Sequence, residues 1–153
     1  MSQALSLFFA DELPTEELAR WLAFYLGLMF REGEKCDYYS CRYLWHDIYL
    51  MNNRFTELEG CNISHLNYEL CISSVRFDVE IDISAFTMMG YILLAERGVD
   101  EAVLIYDGQA ILAKYARCEA GFIDELSGAK VKFPQHIVDV CRRWREAYRI
   151  SGD

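Results

Sequence analysis

Arg76-Phe77-Asp78-Val79-Glu80-Ile81-Asp82-Ile83 alternates apolar and charged side chains without a break. A two-residue period belongs to an extended strand. It sets Phe77, Val79, Ile81 and Ile83 on one face and Asp78, Glu80 and Asp82 on the other. Upstream, His65 to Ile72 alternates in the opposite phase, with Leu66, Tyr68, Leu70 and Ile72 together. Ser73-Ser74 is therefore expected to hold a bulge or a tight turn. Downstream, Ser84 is a good N-cap and residues 85–97 have helical composition. Phe86, Met88, Met89, Tyr91, Ile92, Leu93 and Leu94 cover almost the whole circumference, so this helix should be central. Arg97 and Gly98 end it. Ala102–Tyr106 and Gln109–Ala116 then flank Asp107-Gly108, the strongest hairpin signal in the chain. Strand 75–83, helix 85–97 and strand 102–106 predict a right-handed βαβ unit over 75–106, followed by a hairpin over 102–116.

Ala4 to Phe9 reads as a first strand. Pro14-Thr15-Glu16-Glu17 starts a helix, with carboxylates where the helix dipole favours them. Its apolar positions are Leu18, Trp21, Leu22, Tyr25 and Met29, and Gly33 is its expected stop. Tyr38 to Met51 favours one strand, with Tyr39, Tyr43, Trp45 and Tyr49 on one face and Leu44, His46, Ile48 and Leu50 on the other. Asn52-Asn53 signals a turn, and residues 54–62 read as a loop. Residues 118–133 look irregular. Pro134 opens a last helix, with Ile137, Cys141, Trp144 and Tyr148 as its stripe and Arg142, Arg143, Arg145 and Arg149 near its end. The expected fold is α+β: a single domain over 1–153, mainly antiparallel sheet packed with about three helices.

The 153 residues are 53% apolar and 14% aromatic, which excludes a disordered chain. No run approaches the ~18 apolar residues of a membrane span. Met1 to Ala10 lacks the basic segment of a secretory signal. The six cysteines are scattered, and a domain of this size does not need disulfide staples, so a reducing cytoplasm is expected. The formal charge of -9 is uneven. Residues 1–76 carry -5, residues 77–129 carry -7 and residues 130–153 carry +3. An acidic body disfavours generic binding to a phosphate backbone. The terminal arginines are better read as complementing a helix dipole and an acidic body.

The Asp78/Glu80/Asp82 face invites three readings: a solvated strand face, a partner-binding surface or a metal site. Alternate strand residues stand about 7 Å apart, too far for three carboxylates to share one ion unaided. Glu57, Glu59, Asp100 and Glu101 would widen an acidic binding surface, and Asp124 and Glu125 are further candidates. Tyr39, Tyr43 and Trp45, with Tyr49, read either as core or as aromatic anchors at an interface. A Cys/His nucleophile would combine His46-Asp47 with Cys36 or Cys41, but no local motif supports it. Close cysteine pairs for zinc, a P-loop, G-x-G-x-x-G and G-x-S-x-G are all absent from the sequence. No cofactor or metal is expected.

With no catalytic signature, the leading expectation is a non-enzymatic cytosolic antagonist. It would mask a basic, nucleic-acid-handling protein through an acidic face, by nucleic-acid mimicry. Immunity proteins against toxins and phage-encoded inhibitors of nucleases or CRISPR complexes share this size and charge. The partner would be a nuclease, a toxin or a nucleoprotein complex, with no direct nucleic acid and no membrane. A second reading is a homodimeric chaperone. The chain resembles class I type III secretion chaperones in size, acidity and rough element order, without a shared residue motif. A third is an enzyme with an unrecognised site, which would need a deep pocket of convergent polar groups.

Overall fold

Where alternation meets β-branched and aromatic residues, the chain pairs into one broad antiparallel sheet. The computed structural model describes residues 3–26, 29–33, 38–43, 46–74, 92–118, 121–126 and 128. The strands are β1 (Gln3–Phe9), β2 (Arg31–Glu32), β3 (Tyr38–Tyr43), β4 (His46–Asn52), β5 (Glu57–Leu58), β6 (Cys61–Asn62), β7 (Tyr68–Ser74), β8 (Glu101–Tyr106), β9 (Ala110–Cys118) and β10 (Gly121–Asp124). Eight of them form a sheet in the order β10-β9-β8-β1-β7-β4-β3-β2, and β5-β6 is a separate small ribbon. The helical segments described are α1 (Thr15–Leu26) and a π-helical turn at Ile92–Glu96. This is a mainly antiparallel α+β architecture, with two described helical segments against the three expected. The helix expected from Pro134 lies outside the described residues.

The first strand sits at the centre. β1 pairs with β7 (Leu7 opposite Leu70) and with β8 (Leu7 opposite Leu104), both antiparallel. Its side chains are accordingly buried on both faces: Leu5, Leu7 and Phe9 on one, Phe8 on the other. On the first face, Leu18 and Leu22 of α1 and Leu93 and Leu94 of the π-helical turn cover Leu50, Leu70, Ile72 and Leu104. On the second, the β5–β6 ribbon and the segment after it bring Cys61, Ile63 and Leu66 onto Phe8, Val103 and Ile105. Burial of these aliphatic chains, worth about 1.5–3 kcal/mol each, closes the sheet between two layers.

Several expectations change. The segment 38–51 is two strands, not one, paired as a hairpin with Arg42 opposite Asp47 and Tyr39 opposite Leu50. The reversal puts Tyr39 with the core residues Ile48 and Leu50, whereas Tyr49 alternates away from them. The single aromatic stripe therefore does not exist; Trp45 lies outside the described residues. α1 ends at Leu26, and Met29 beyond it is 81% exposed rather than on its apolar face. Gly33 is not a helix stop. It lies beside β2, its N–H donating to the Tyr38 carbonyl at 2.8 Å. The supposed loop 54–62 contains β5 and β6, joined through Glu59 and Gly60 at φ 50° and 77°, the left-handed pair of a tight hairpin turn. Residues 118–133 are not wholly irregular, because β10 pairs with β9.

The Asp107-Gly108 hairpin forms as expected, at φ 51° and 68°. A register shift between Leu104 and Ile105 makes room for one extra residue in β9. The βαβ unit fares differently. Both described neighbours of β8, β1 and β9, run antiparallel to it, and the unit's first element is the strand expected over 75–83. That strand lies outside the described residues, as does the helix N-terminus at Ser84. β7 keeps regular register with β1 and β4 through Ser73 and Ser74, without the expected bulge or turn there.

Candidate functional site

Three connections meet where β1 ends and β7 and β8 begin. They are Ala10–Pro14, Ser64–Asn67 and Arg97–Asp100, and between them lies a cleft of about 690 Å³. Asp11 organises it. Its N–H donates to Asn67 Oδ1 at 2.9 Å, and Asn67 Nδ2 donates back to the Asp11 carbonyl at 3.0 Å. Asp11 Oδ1 accepts the Leu13 N–H at 3.0 Å, an Asx turn that sets the chain for α1, which starts at Thr15 just after Pro14. Tyr68 Oη donates to the Leu13 carbonyl at 2.5 Å, fixing the same segment from β7.

Arg97 reaches Asp11 with two charge-assisted bonds, Nε to Oδ2 at 2.8 Å and Nη2 to Oδ1 at 2.7 Å. Its guanidinium also lies 5.3 Å from the Trp21 ring centroid, so α1 is tied to the same point. The Asp11 side chain is only 2% exposed. Burial alone would push its carboxyl up, but the Arg97 hydrogen bonds, the Leu13 N–H and the Arg97 charge together hold it below the ordinary value. Arg97 arrives here because the π-helical turn stops behind it. Gly98 adopts φ 70°, and the Val99 N–H closes back onto the Leu93 carbonyl at 3.2 Å. Arg117 of β9 satisfies the freed carbonyls of Leu94 at 2.8 Å and Val99 at 3.3 Å.

The outward groups have the opposite sign. Glu12, Asp100 and Glu101 stand on the rim, with the Asp100 side chain 88% exposed. His65 Nε2 contacts Glu101 Oε1 across the cleft, and Arg117 Nε approaches Asp100 Oδ1 at 3.4 Å. The lining carries four carboxylates against one guanidinium and one imidazole. Its guanidinium already faces the buried carboxylate, so the exposed rim is acidic. Such a rim can accept N–H donors from a lysine or arginine brought to it.

No protein-family model and no curated protein matches this chain.

Of the residues singled out by sequence, the fold brings Asp100 and Glu101 to this cleft. Glu57 and Glu59 are exposed on the β5–β6 ribbon, which packs over the other face of the sheet. Asp78, Glu80 and Asp82 lie outside the described residues, so the acidic strand face is not part of the described cleft. Tyr39 is half-buried, packed against the core. Tyr43 pairs with His46 at the end of the β3–β4 hairpin. Burial and then the charge of Asp47 push the Cys41 thiol up to about 11, so it carries no thiolate at neutral pH. Among the described residues, no three His, Cys, Asp or Glu side chains are grouped to hold a metal ion. No described helix is long and apolar enough to cross a membrane.

Sequence reading missed Asp11, Asn67 and the pairing role of Arg97. The signal for Asp11 was present, since Asp-x-Leu-Pro is an Asx turn ahead of a proline-started helix. Nothing local links residues 11, 67 and 97; only the pairing of β1 with β7 and β8 does.

Proposed function

We propose that this protein is a non-enzymatic cytoplasmic binding protein. It docks a basic, nucleic-acid-handling partner through its acidic surface and so masks that partner's phosphate-binding side chains. The observation that carries the reading is the cleft rim, which bears Glu12, Asp100 and Glu101, the last two also meeting Arg117 and His65, while Arg97 is committed to buried Asp11. A net charge of -9 adds long-range attraction, which speeds encounter and makes it sensitive to salt. Asp78, Glu80 and Asp82, with Glu57 and Glu59, are the further acidic groups available to the same partner.

The test is capture from a cell extract at low ionic strength, with the wild-type chain and an Asp100→Lys/Glu101→Lys variant side by side. Captured proteins should be basic, should elute as salt shortens the Debye length below about 10 Å, and should be lost by the variant. Adding wild-type protein to the captured partner should also release its bound DNA or RNA in a gel-shift assay. A partner held equally by the variant, or one that keeps its nucleic acid, overturns the reading.

A further inference from the structure

A second cleft, of about 450 Å³, lies on the β2–β3–β4 edge of the sheet and has the opposite electrostatic character. It is lined by Arg31 of β2, Ser40 and Arg42 of β3, and Asp47 and Tyr49 of β4. Strand register explains the grouping. Arg31 pairs with Ser40 and Ser40 with Tyr49, making one cross-strand row, while Arg42 pairs with Asp47 in the next. Arg31 and Arg42 are thus diagonal neighbours across two strands, a spacing of about 7–8 Å or a little less. That separation lets two long guanidinium side chains close on one small anion from both sides.

The hydrogen-bonding roles are one-sided. Asp47 is the cleft's carboxylate, and it is occupied by Arg42, with Nε to Oδ1 at 3.0 Å and Nη2 to Oδ2 at 3.3 Å. This pair holds the Arg42 fork in place and leaves its Nη1 hydrogens uncommitted among the described residues. Arg31 has no carboxylate partner among the described residues, and the Ser40 and Tyr49 hydroxyls have no protein partner there. Burial, then the Asp47 charge, raises the Tyr49 phenol above its ordinary value, so it remains an O–H donor. Two guanidinium-bearing and two hydroxyl-bearing side chains therefore line a space of small-ligand size, in a chain of net charge -9.

We propose that this cleft is a binding site for a phosphate group carried by a small ligand, held between Arg31 and Arg42 with Ser40 and Tyr49 as additional donors. A phosphate presents three oxygens and can use this number of donors, whereas a carboxylate has two and would leave part of the set unmatched. The site shares no lining residue with the acidic cleft and does not rest on the function proposed above.

Inorganic phosphate is the probe. Calorimetric titration of the full chain, with acetate at matched ionic strength as comparison, should give saturable phosphate binding with Kd on the order of 1 mM. Acetate should bind at least about tenfold more weakly. Arg31→Ala should weaken phosphate binding about tenfold or more, with unchanged thermal unfolding in phosphate-free buffer, because Arg31 is exposed. Arg31→Lys, which keeps the charge but not the fork, should fall between the two. Amide resonance shifts on titration should centre on Arg31, Ser40, Arg42 and Tyr49. Non-saturable heats in the wild type, equal affinity in Arg31→Ala, or acetate binding as tightly as phosphate would each overturn the assignment.

Discussion

Glu69 is the residue whose chemistry runs most plainly against its surroundings. It lies on β7 between Phe8 of β1 and Met51 of β4, 9% exposed, with the Ser6 hydroxyl donating to Oε1 at 2.8 Å. Burial raises its carboxyl above the ordinary value of 4.5, and the single Ser6 bond only partly offsets this. A raised folded-state pKa means that the folded chain holds this proton more tightly than the unfolded one. The resulting stability is complete below the unfolded value and is lost as pH rises through the folded value. Asp11, with its carboxyl lowered, works in the other direction: its contribution is present above the unfolded value and lost as pH falls through the folded one. Glu69→Gln keeps an acceptor for Ser6 and removes the titration. We expect it to stabilise the protein at pH 7 by about 1 kcal/mol and to be near neutral at pH 4. Urea unfolding at the two pH values measures this difference. A variant less stable than wild type at pH 7 would show that ionised Glu69 is held by more than Ser6.

Among the elements, hairpins divide what sequence could and could not convey. Asp107-Gly108 was legible because both residues tolerate a left-handed backbone and two apolar runs flank them. Glu59-Gly60 uses the same geometry, at φ 50° and 77°, but its strands are two residues each and too short to alternate visibly. The β3–β4 turn was hidden for a different reason. Strand-forming residues run straight through positions 38–51, and alternation alone cannot mark where a chain doubles back. The β8–β9 hairpin also carries a long-range duty, because the Asp107 N–H donates to the Ala4 carbonyl of β1 at 2.7 Å. Gly108 sits at φ 68° with open space around it, so a methyl group there meets backbone strain rather than a clash. Gly108→Ala should therefore cost about 1–2 kcal/mol, while Asp107→Asn, at a position either residue accepts, should change stability by less than about 0.5 kcal/mol. Thermal unfolding of the two variants compares them directly; equal losses would mean that side-chain contacts, not backbone conformation, set the turn.

For the molecule as a whole, β1 is the joint. On one side stand β8, β9 and β10, and on the other β7, β4, β3 and β2. The apolar run Leu5-Ser6-Leu7-Phe8-Phe9 hinted at burial on both faces, yet no local pattern can say which strands flank it. Those neighbours lie some 60 to 100 residues away, and the same pairing assembles the cleft from residues 11, 67 and 97. The strands β1, β7, β8 and β9 were therefore readable from the sequence, while strand order and the site built on it were not. The arrangement has an energetic consequence. Leu7 is 1% exposed and opposes Leu70 and Leu104, so Leu7→Ala opens a cavity in the middle of the sheet and should cost about 2–5 kcal/mol. Leu112, 43% exposed on β9, is the control; its alanine variant should lose less than about 1 kcal/mol. Because β1 bridges the two halves, the Leu7→Ala loss should appear as one shifted transition. Far-UV circular dichroism and aromatic fluorescence should then move to the same lower denaturant midpoint. Two separated transitions would mean that the β7–β2 half holds its structure without β1, and that the sheet is two cooperative units rather than one.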